Sequence, residues 1–299
     1  DGPGLGEYEL RSQCAQETLL LLERLLVTCR ALPAAEMRAE FTEEALGPFL
    51  QHVHDRLDRR ALSFKALGAL HTPKPAKGLA QCLGFAEALL QFSEEAQAVP
   101  FLPPNNPLAE LPTWLEAYRE RWHKHIVDGL VKAFNASSQS YRGAVHHFRD
   151  FGAEASSSGS LSSTLLAPLQ GMRDGLLCVQ ACLGRRDFRH VVMAVAARLD
   201  ELLVNSVALR HVFSGPGAEQ FAHDMQAVVT TVASALPKAG SALQGLLECC
   251  QLLNLPEDRA MELRAALAAR GDPALREAGL SVLDEGVGAR VLGRRTDVR

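Results

Sequence analysis

An all-α fold is what this sequence predicts, and three observations carry the prediction. Hydrophobic residues fill 47% of the 299 positions while aromatics fill only 6%, so Leu, Ala and Val supply most of the apolar content. Those residues recur at three- and four-residue spacing, with little of the strict alternation that marks a half-buried strand. Most prolines and glycines fall between the periodic segments, where they punctuate helices.

The first helix spans about residues 8–32 and is apolar nearly all round between Leu19 and Val27, the pattern of a helix buried in a bundle. Pro33 ends it. A second pattern runs over 34–62, with Gly47-Pro48 inside it; proline lacks an amide donor and crowds the preceding turn, so a kink or break is expected there. His71-Thr72-Pro73-Lys74-Pro75 reads as a linker, followed by a helix over 78–97 with Leu79, Leu83, Ala86, Leu89 and Leu90 on one face. Residues 100–107 hold four prolines and two asparagines and exclude a helix. Pro112 and Thr113 then open a long amphipathic helix to about residue 135, and a second piece covers 141–151.

Residues 152–160 are small, polar and serine-rich, the composition of a flexible connector. They divide the chain into 1–155 and 156–299. Six helices are predicted beyond them, at about 161–183, 187–209, 217–236, 241–253, 256–269 and 273–280. Asp187 and Ser214 suit helix caps, and Pro256 and Pro273 suit first turns. Gly215-Pro216-Gly217 reads as a tight turn between antiparallel helices, with glycines taking backbone angles that other residues resist. The last twenty residues, ending Arg294-Arg295-Thr296-Asp297, read as frayed.

Charge and cysteine content narrow the function. The formal net charge is −4, and no basic face of the kind nucleic-acid binders carry is evident. The pairs Arg59-Arg60, Arg185-Arg186 and Arg294-Arg295 read as solvated helix ends and loops. Seven cysteines, an odd number with no CxxC, fit reduced thiols in a cytosolic protein. The chain starts at Asp1 without a charged-then-apolar leader, so it reads as a fragment of something longer. Its most lipophilic stretch is interrupted by Glu23 and falls short of the roughly 20 apolar residues a span needs.

Chemistry-bearing patterns are sparse. A bundle di-metal site needs two Glu-x-x-His pairs and two further carboxylates, whereas Glu120-Arg121-Trp122-His123 supplies one pair. His123 with His125, His146 with His147 and His52 with His54 are spaced so that a helix turns them apart. Cys178 and Cys182 share a face but sit among Leu177, Val179 and Leu183, as buried thiols do. No GxSxG, HExxH or GxxxxGK[ST] occurs.

The most informative stretch is a corner: Leu199-Asp200-Glu201-Leu202-Leu203, Val207 and Leu209, then Phe213-Ser214-Gly215-Pro216-Gly217-Ala218-Glu219-Gln220-Phe221 and Asp224-Met225. It resembles the C-terminal domain of the RINT/Tip-twenty family, the Rad-fifty-interactor-like subunit of the Dsl or NRZ tethering complex. Gly159-Ser160-Leu161-Ser162-Ser163 before Pro168-Leu169 and Arg173-Asp174 is similar to that family's entry to the domain. Glu248-Cys249-Cys250-Gln251-Leu252-Leu253-Asn254-Leu255 resembles its EAC-x-x-LNL segment, and Leu275, Glu277, Gly279 and Leu283 its closing piece. Arg30, Pro33, Phe41 and Phe85-Ala86-Glu87-Ala88-Leu89 extend the likeness upstream. The tail after Asp284 departs from the family pattern, as does the short serine-rich linker.

The resemblance implies an elongated stack of helical bundles, a helical-rod tether with a middle rod domain over 1–155 and a C-terminal bundle over 156–299. It implies a non-enzymatic subunit in Golgi-to-ER retrograde transport, cytoplasmic and peripheral at the endoplasmic reticulum membrane, without cofactor, metal or nucleic acid. The partners it implies are a Sec-twenty-type SNARE and a ZW-ten/Dsl-type tether subunit, the latter mainly through an N-terminal region. Its structural motif maps to Leu199, Asp200, Phe213, Gly217, Ala218, Gln220, Phe221, Asp224 and Met225. Helical spacing assigns Leu199, Phe213, Ala218, Phe221 and Met225 to core; Asp200 and Asp224 read as local caps or pairs, with exposed recognition charges as the alternative. Three alternatives stay open: another helical-rod tether of the exocyst kind, a helical metal-dependent enzyme using Glu120 and His123, and a generic helical adaptor.

Overall fold

A computed structural model of the chain describes residues 13–66, 73–97, 102, 106–144, 148–150, 160–181 and 183–298. These residues form helices packed in bundles; among them there is no strand, and the one β-type contact is an isolated bridge between Phe213 and Arg295. Much of the serine-rich connector, 151–159, lies outside the described residues, as do Cys182 and 67–72, which include His71 and Thr72 of the expected linker. Pro73-Lys74-Pro75, expected in that linker, instead open a helix, where proline suits a first turn. The chain divides into two compact units, Asp1–Ile126 with Leu177–Phe188, and Val127–Leu176 with Arg189–Arg299.

The first unit holds α1 (Gln13–Ala31), α2 (Ala35–Phe41), α3 (Gly47–Ala66), α4 (Pro73–Gln97) and the N-terminal part of α5 (Leu111–Ser137). Helix α3 packs against α4, and α1 packs against both α2 and α4. Their shared core contains Leu22, Leu46, Leu57, Ala61, Leu83 and Leu89.

Two expectations are corrected here. Gly47-Pro48 does not break the second pattern. A π-turn, Thr42–Leu46, joins α2 to α3, with the Gly47 amide donating to the Thr42 carbonyl. The wider turn takes up the backbone mismatch that proline creates, as π-bulges do elsewhere. Helix α1 is also less enclosed than its composition suggests: Leu20 and Val27 stay 53% and 68% exposed. Within the proline-rich stretch, Pro107–Ala109 forms a single 3₁₀ turn. It is capped by the Asn106 side chain, which accepts from the Leu108 amide at 3.0 Å, and tied to α4 by Gln97 Nε2 donating to the Leu108 carbonyl.

The second unit takes the rest of α5, then α6 (Gln139–Gly143), most of α7 (Ser163–Gln180) and α8 (Arg185–Leu203), a π-turn at Val204–Ala208, and α9 (Gly215–Ala235). A 3₁₀ segment, Pro237–Leu243, leads into α10 (Gln244–Leu253), α11 (Glu257–Arg270), α12 (Asp272–Glu277) and α13 (Glu285–Leu292). Helix α10 packs against α9, α13 and the π-turn, and α11 packs against α12 and α13. At the centre lies an aromatic cluster in which Phe148 stacks on Phe213 at 5.2 Å and meets Tyr141 and Phe221 edge-on.

Of the helix expected over 141–151, the described residues show the end of the short α6 at Gly143 and a non-helical turn at Phe148–Asp150, while 145–147 and 151 lie outside the described residues. Nor are the described residues of the last twenty frayed. They include α13, the Phe213–Arg295 bridge, and an Arg295 side chain buried against the carbonyls of Leu252 and Leu255. Chain-end composition suggests solvation, but a guanidinium with several fixed acceptors is at home in the interior.

Candidate functional site

The corner singled out by sequence is built around α8, the following turn, and the start of α9. Leu199, Phe213, Ala218, Phe221 and Met225 are all buried, on the helical spacing that places them in the core. Ser214 caps α9: its Oγ accepts from the Gly217 amide at 3.2 Å and donates to the Phe148 carbonyl at 3.0 Å. The Gly215-Pro216-Gly217 segment is therefore the first turn of α9 and not a turn between helices. Neither glycine has positive φ; among the described residues only Gly271 and Gly279 do. What Gly217 provides is close approach, since a Cβ there would overlap the Phe148 carbonyl.

Three carboxylates organise this unit. Asp224 is fully buried and accepts four bonds: from the Tyr141 hydroxyl at 3.0 Å, the Ser162 amide at 3.0 Å, the Ser162 hydroxyl at 2.7 Å and Gln220 Nε2 at 2.9 Å. Gln220 Nε2 also donates to the Ser160 carbonyl. The entry segment at 160–162 is thereby stapled to the middle of α9. Burial pushes the Tyr141 phenol well up, and the neighbouring Asp224 charge adds to it, so this hydroxyl stays a donor.

Asp200 Oδ1 accepts from the Leu246 amide at 2.7 Å, in the first turn of α10. A negative group there complements the free amides of a helix start. Gly245 makes room for it: a Cβ at that position would lie 2.6 Å from Asp200 Oδ2. Burial raises the Asp200 carboxyl above its ordinary range; the Leu246 amide opposes this and Glu248 adds to it.

Glu248, inside the apolar run of α10, accepts from the backbone amides of Ser281, Val282 and Leu283 at distances of 2.9 to 3.2 Å. Burial would raise this carboxyl, but the three amides outweigh it and hold the group below the usual Glu range. Asn254, six residues on, donates through Nδ2 to the Ala218 carbonyl at 3.1 Å. From residue 160 onward the family-like stretches are thus bonded to one another: entry to corner through Asp224, corner to the EAC-like segment through Asn254 and to the turn just before it through Asp200, and that segment to the closing piece through Glu248.

In the first unit the candidate pair separates. Glu120 is exposed, whereas His123 is buried with its Nε2 3.1 Å from Asp187 Oδ1. Arg119 donates to the same oxygen. Asp187 is consequently not the helix cap it was expected to be; it lies within the first turn of α8 and pairs with two residues of α5. Burial works against its charge, and the bonds from His123 and Arg119 overcome that, leaving its carboxyl below the ordinary range. Among the described residues no three or more His, Cys, Asp or Glu side chains cluster in a way that could hold a metal ion. Burial pushes the Cys82 thiol up to about 11 and Cys249 to about 12, which makes them poor nucleophiles and poor ligands.

The sequence reading missed Tyr141, Glu248 and Arg295. A signal existed for Glu248: one carboxylate among Leu246, Leu247, Cys249 and Cys250 is too costly to bury without dedicated partners. Nothing local marked Tyr141 or Arg295, whose acceptors are distant in sequence.

The sequence model of the RINT-1/TIP-1 family matches residues 110–295. The chain belongs to this family. No curated protein and no solved structure matches it. The matched span contains the corner, all three organising carboxylates and the Arg119–Asp187 pair, while the upstream likenesses at Arg30, Phe41 and Phe85 fall outside it. RINT-1/TIP-1 proteins are non-catalytic tethers, and membership implies a tethering-complex subunit in retrograde transport. Among the described residues no helix is long and apolar enough to cross a membrane.

Proposed function

We propose that this chain acts in Golgi-to-ER retrograde transport as a non-enzymatic tether subunit, peripheral at the endoplasmic reticulum membrane. In this reading it engages a Sec-twenty-type SNARE and a ZW-ten/Dsl-type tether subunit. The supporting observation is the RINT-1/TIP-1 match over residues 110–295. The use of polar groups there agrees with it. Asp200, Asp224 and Glu248 are engaged in bonding helix to helix and loop to helix, as a scaffold requires. Such a subunit works by rigidity and summed weak contacts, with no bond made or broken.

The test is a pull-down of the purified chain against the cytosolic regions of ER SNAREs and, in parallel, plasma-membrane SNAREs. Selective recovery of the ER set supports the reading. Recovery of the plasma-membrane set instead assigns the chain to an exocyst-like role and rejects it.

A further inference from the structure

Among its described residues the first unit carries an open groove of about 500 Å³ between α1, α3 and α4. Its apolar lining comes from Leu21 on α1, Phe49 and Val53 on α3, and Phe85 on α4. Along the α3 side run His52, Arg56 and Arg60, all exposed. Four-residue spacing places them on one helix face, and a rise of about 1.5 Å per residue makes the stripe roughly 12 Å long.

The charges on the neighbouring face of α3 are matched: Asp55 lies 3.9 Å from Arg59, and Asp58 pairs with Arg121 of α5. Arg56 and Arg60 form no ion pair among the described residues. Arg60 sits close enough to the groove to pull against the burial that raises the Cys82 thiol. An apolar trough with a one-sided, unneutralised cationic edge is half of a complementary surface.

We propose that this groove receives an amphipathic helix of a partner protein, its apolar stripe seated between α1 and α4 and its acidic residues, four apart, set against Arg56 and Arg60. This rests on the reading of the chain as a holder of partner helices and names the place and chemistry of one such contact. Helix-in-groove recognition uses apolar anchors at spacings of three, four and seven residues, and a recessed lining suits those anchors. An anionic membrane suits it less well. Val53 is buried and Phe49 and Phe85 are half-buried, so a flat surface rides over them, whereas the side chains of a helix reach into the trough.

The test uses two labelled 18-residue helical peptides that share a leucine stripe: one has glutamates four apart along one flank, the other lysines at the same positions. Fluorescence anisotropy against the whole chain should show binding of the glutamate peptide, weakening with salt, and none of the lysine peptide. Arg56→Glu/Arg60→Glu should weaken the glutamate peptide about 10-fold or more and create binding of the lysine peptide. Both arginines are exposed, so the variant should keep its circular dichroism and melting midpoint; Leu21→Asp, on the opposite wall, gives a second disruption that leaves the arginines intact. Failure of the glutamate peptide to bind, equal binding of both peptides, or binding indifferent to the charge reversal overturns the proposal. So does charge-dependent binding only to phosphatidylserine vesicles, or a dimer of this chain that the reversal dissolves without peptide binding. If ER SNAREs are recovered equally by the wild type and the reversal variant, the groove assignment fails while the tether reading stands. If no SNARE is recovered but the peptides swap as stated, the groove stands and the tether reading fails.

Discussion

The Tyr141 hydroxyl donates to Asp224 Oδ2 at 3.0 Å across 83 residues of sequence, and both groups are buried. The carboxylate is shut off from solvent, and the Tyr141 and Ser162 hydroxyls, the Ser162 amide and the Gln220 amide group take the place of water around it. A network of this kind strengthens as a unit, because each bond in a low-dielectric interior polarises the next.

Tyr141→Phe is expected to cost about 1–2 kcal/mol, and Asp224→Ala about 3–5 kcal/mol because it strands several donors at once. Urea unfolding of the two single variants and the double variant checks this. The double variant should cost clearly less than the sum; simple additivity would show that the two side chains do not act together.

Gly217 and Gly215 are two residues apart, yet alanine should be costly at the first and nearly neutral at the second. At Gly215 a Cβ meets nothing within 4 Å, while at Gly217 it overlaps backbone that cannot move aside. Gly215→Ala should stay within about 0.5 kcal/mol of wild type, and Gly217→Ala should cost about 3 kcal/mol or more. Similar melting midpoints for both variants would contradict the close approach.

Acid should destabilise the fold through Asp187 and Glu248, whose carboxyls lie below their ordinary ranges in the folded chain. As pH falls, the unfolded chain takes up those protons first, so stability rises with pH across the interval. Their contribution is fully present above about pH 4.3 and is lost as pH falls through the folded-state values. Asp200, with its carboxyl raised, has the opposite sign and offsets part of the loss. Unfolding measured from pH 7 to 3 should show a shallower acid slope in Asp187→Asn than in wild type; identical slopes would remove Asp187 from the account.

Thiol reactivity gives an independent reading of burial. With Cys82 near 11, Cys249 near 12 and Cys250 higher still, the thiolate fraction at pH 8 is on the order of one in a thousand or less. Titration with a disulfide reagent should leave these three cysteines unmodified in the native protein and modify them on unfolding. Rapid labelling of Cys249 without denaturant would place α10 at the surface.

Arg295 tests the end of the chain. Its guanidinium donates to the Leu252 and Leu255 carbonyls and pairs with Asp297. Arg295→Ala should cost about 2–3 kcal/mol and remove hydrogen-exchange protection across 285–298. Unchanged protection there would mean that α13 is held by its apolar contacts alone.

Much of the fold was legible because helices announce themselves locally. The spacing of Leu79, Leu83, Ala86 and Leu89 is enough to orient α4, and Ser214 before Gly217 is enough to start α9. What stayed hidden was whatever depends on a partner far along the chain. Asp187 looked like a cap because caps are local; its ligands, Arg119 and His123, lie 60 or more residues away. Arg295 looked solvated because arginine usually is, and only packing brings the Leu252 and Leu255 carbonyls to it. Gly47-Pro48 looked like a break because its rescue is a π-turn, which local spacing does not signal.

By itself the sequence determined that the chain forms helices, where most of them begin and end, which faces turn inward, and that the corner from Leu199 to Met225 follows a tether family's pattern. Those properties arise within a few turns of backbone, where side-chain spacing and capping act directly. Tertiary structure alone decided which carboxylate meets which amide, why Gly217 has no side chain, and which arginines keep their charge unmatched. Each of these is a distance between segments remote in the chain, set only when the apolar faces have packed.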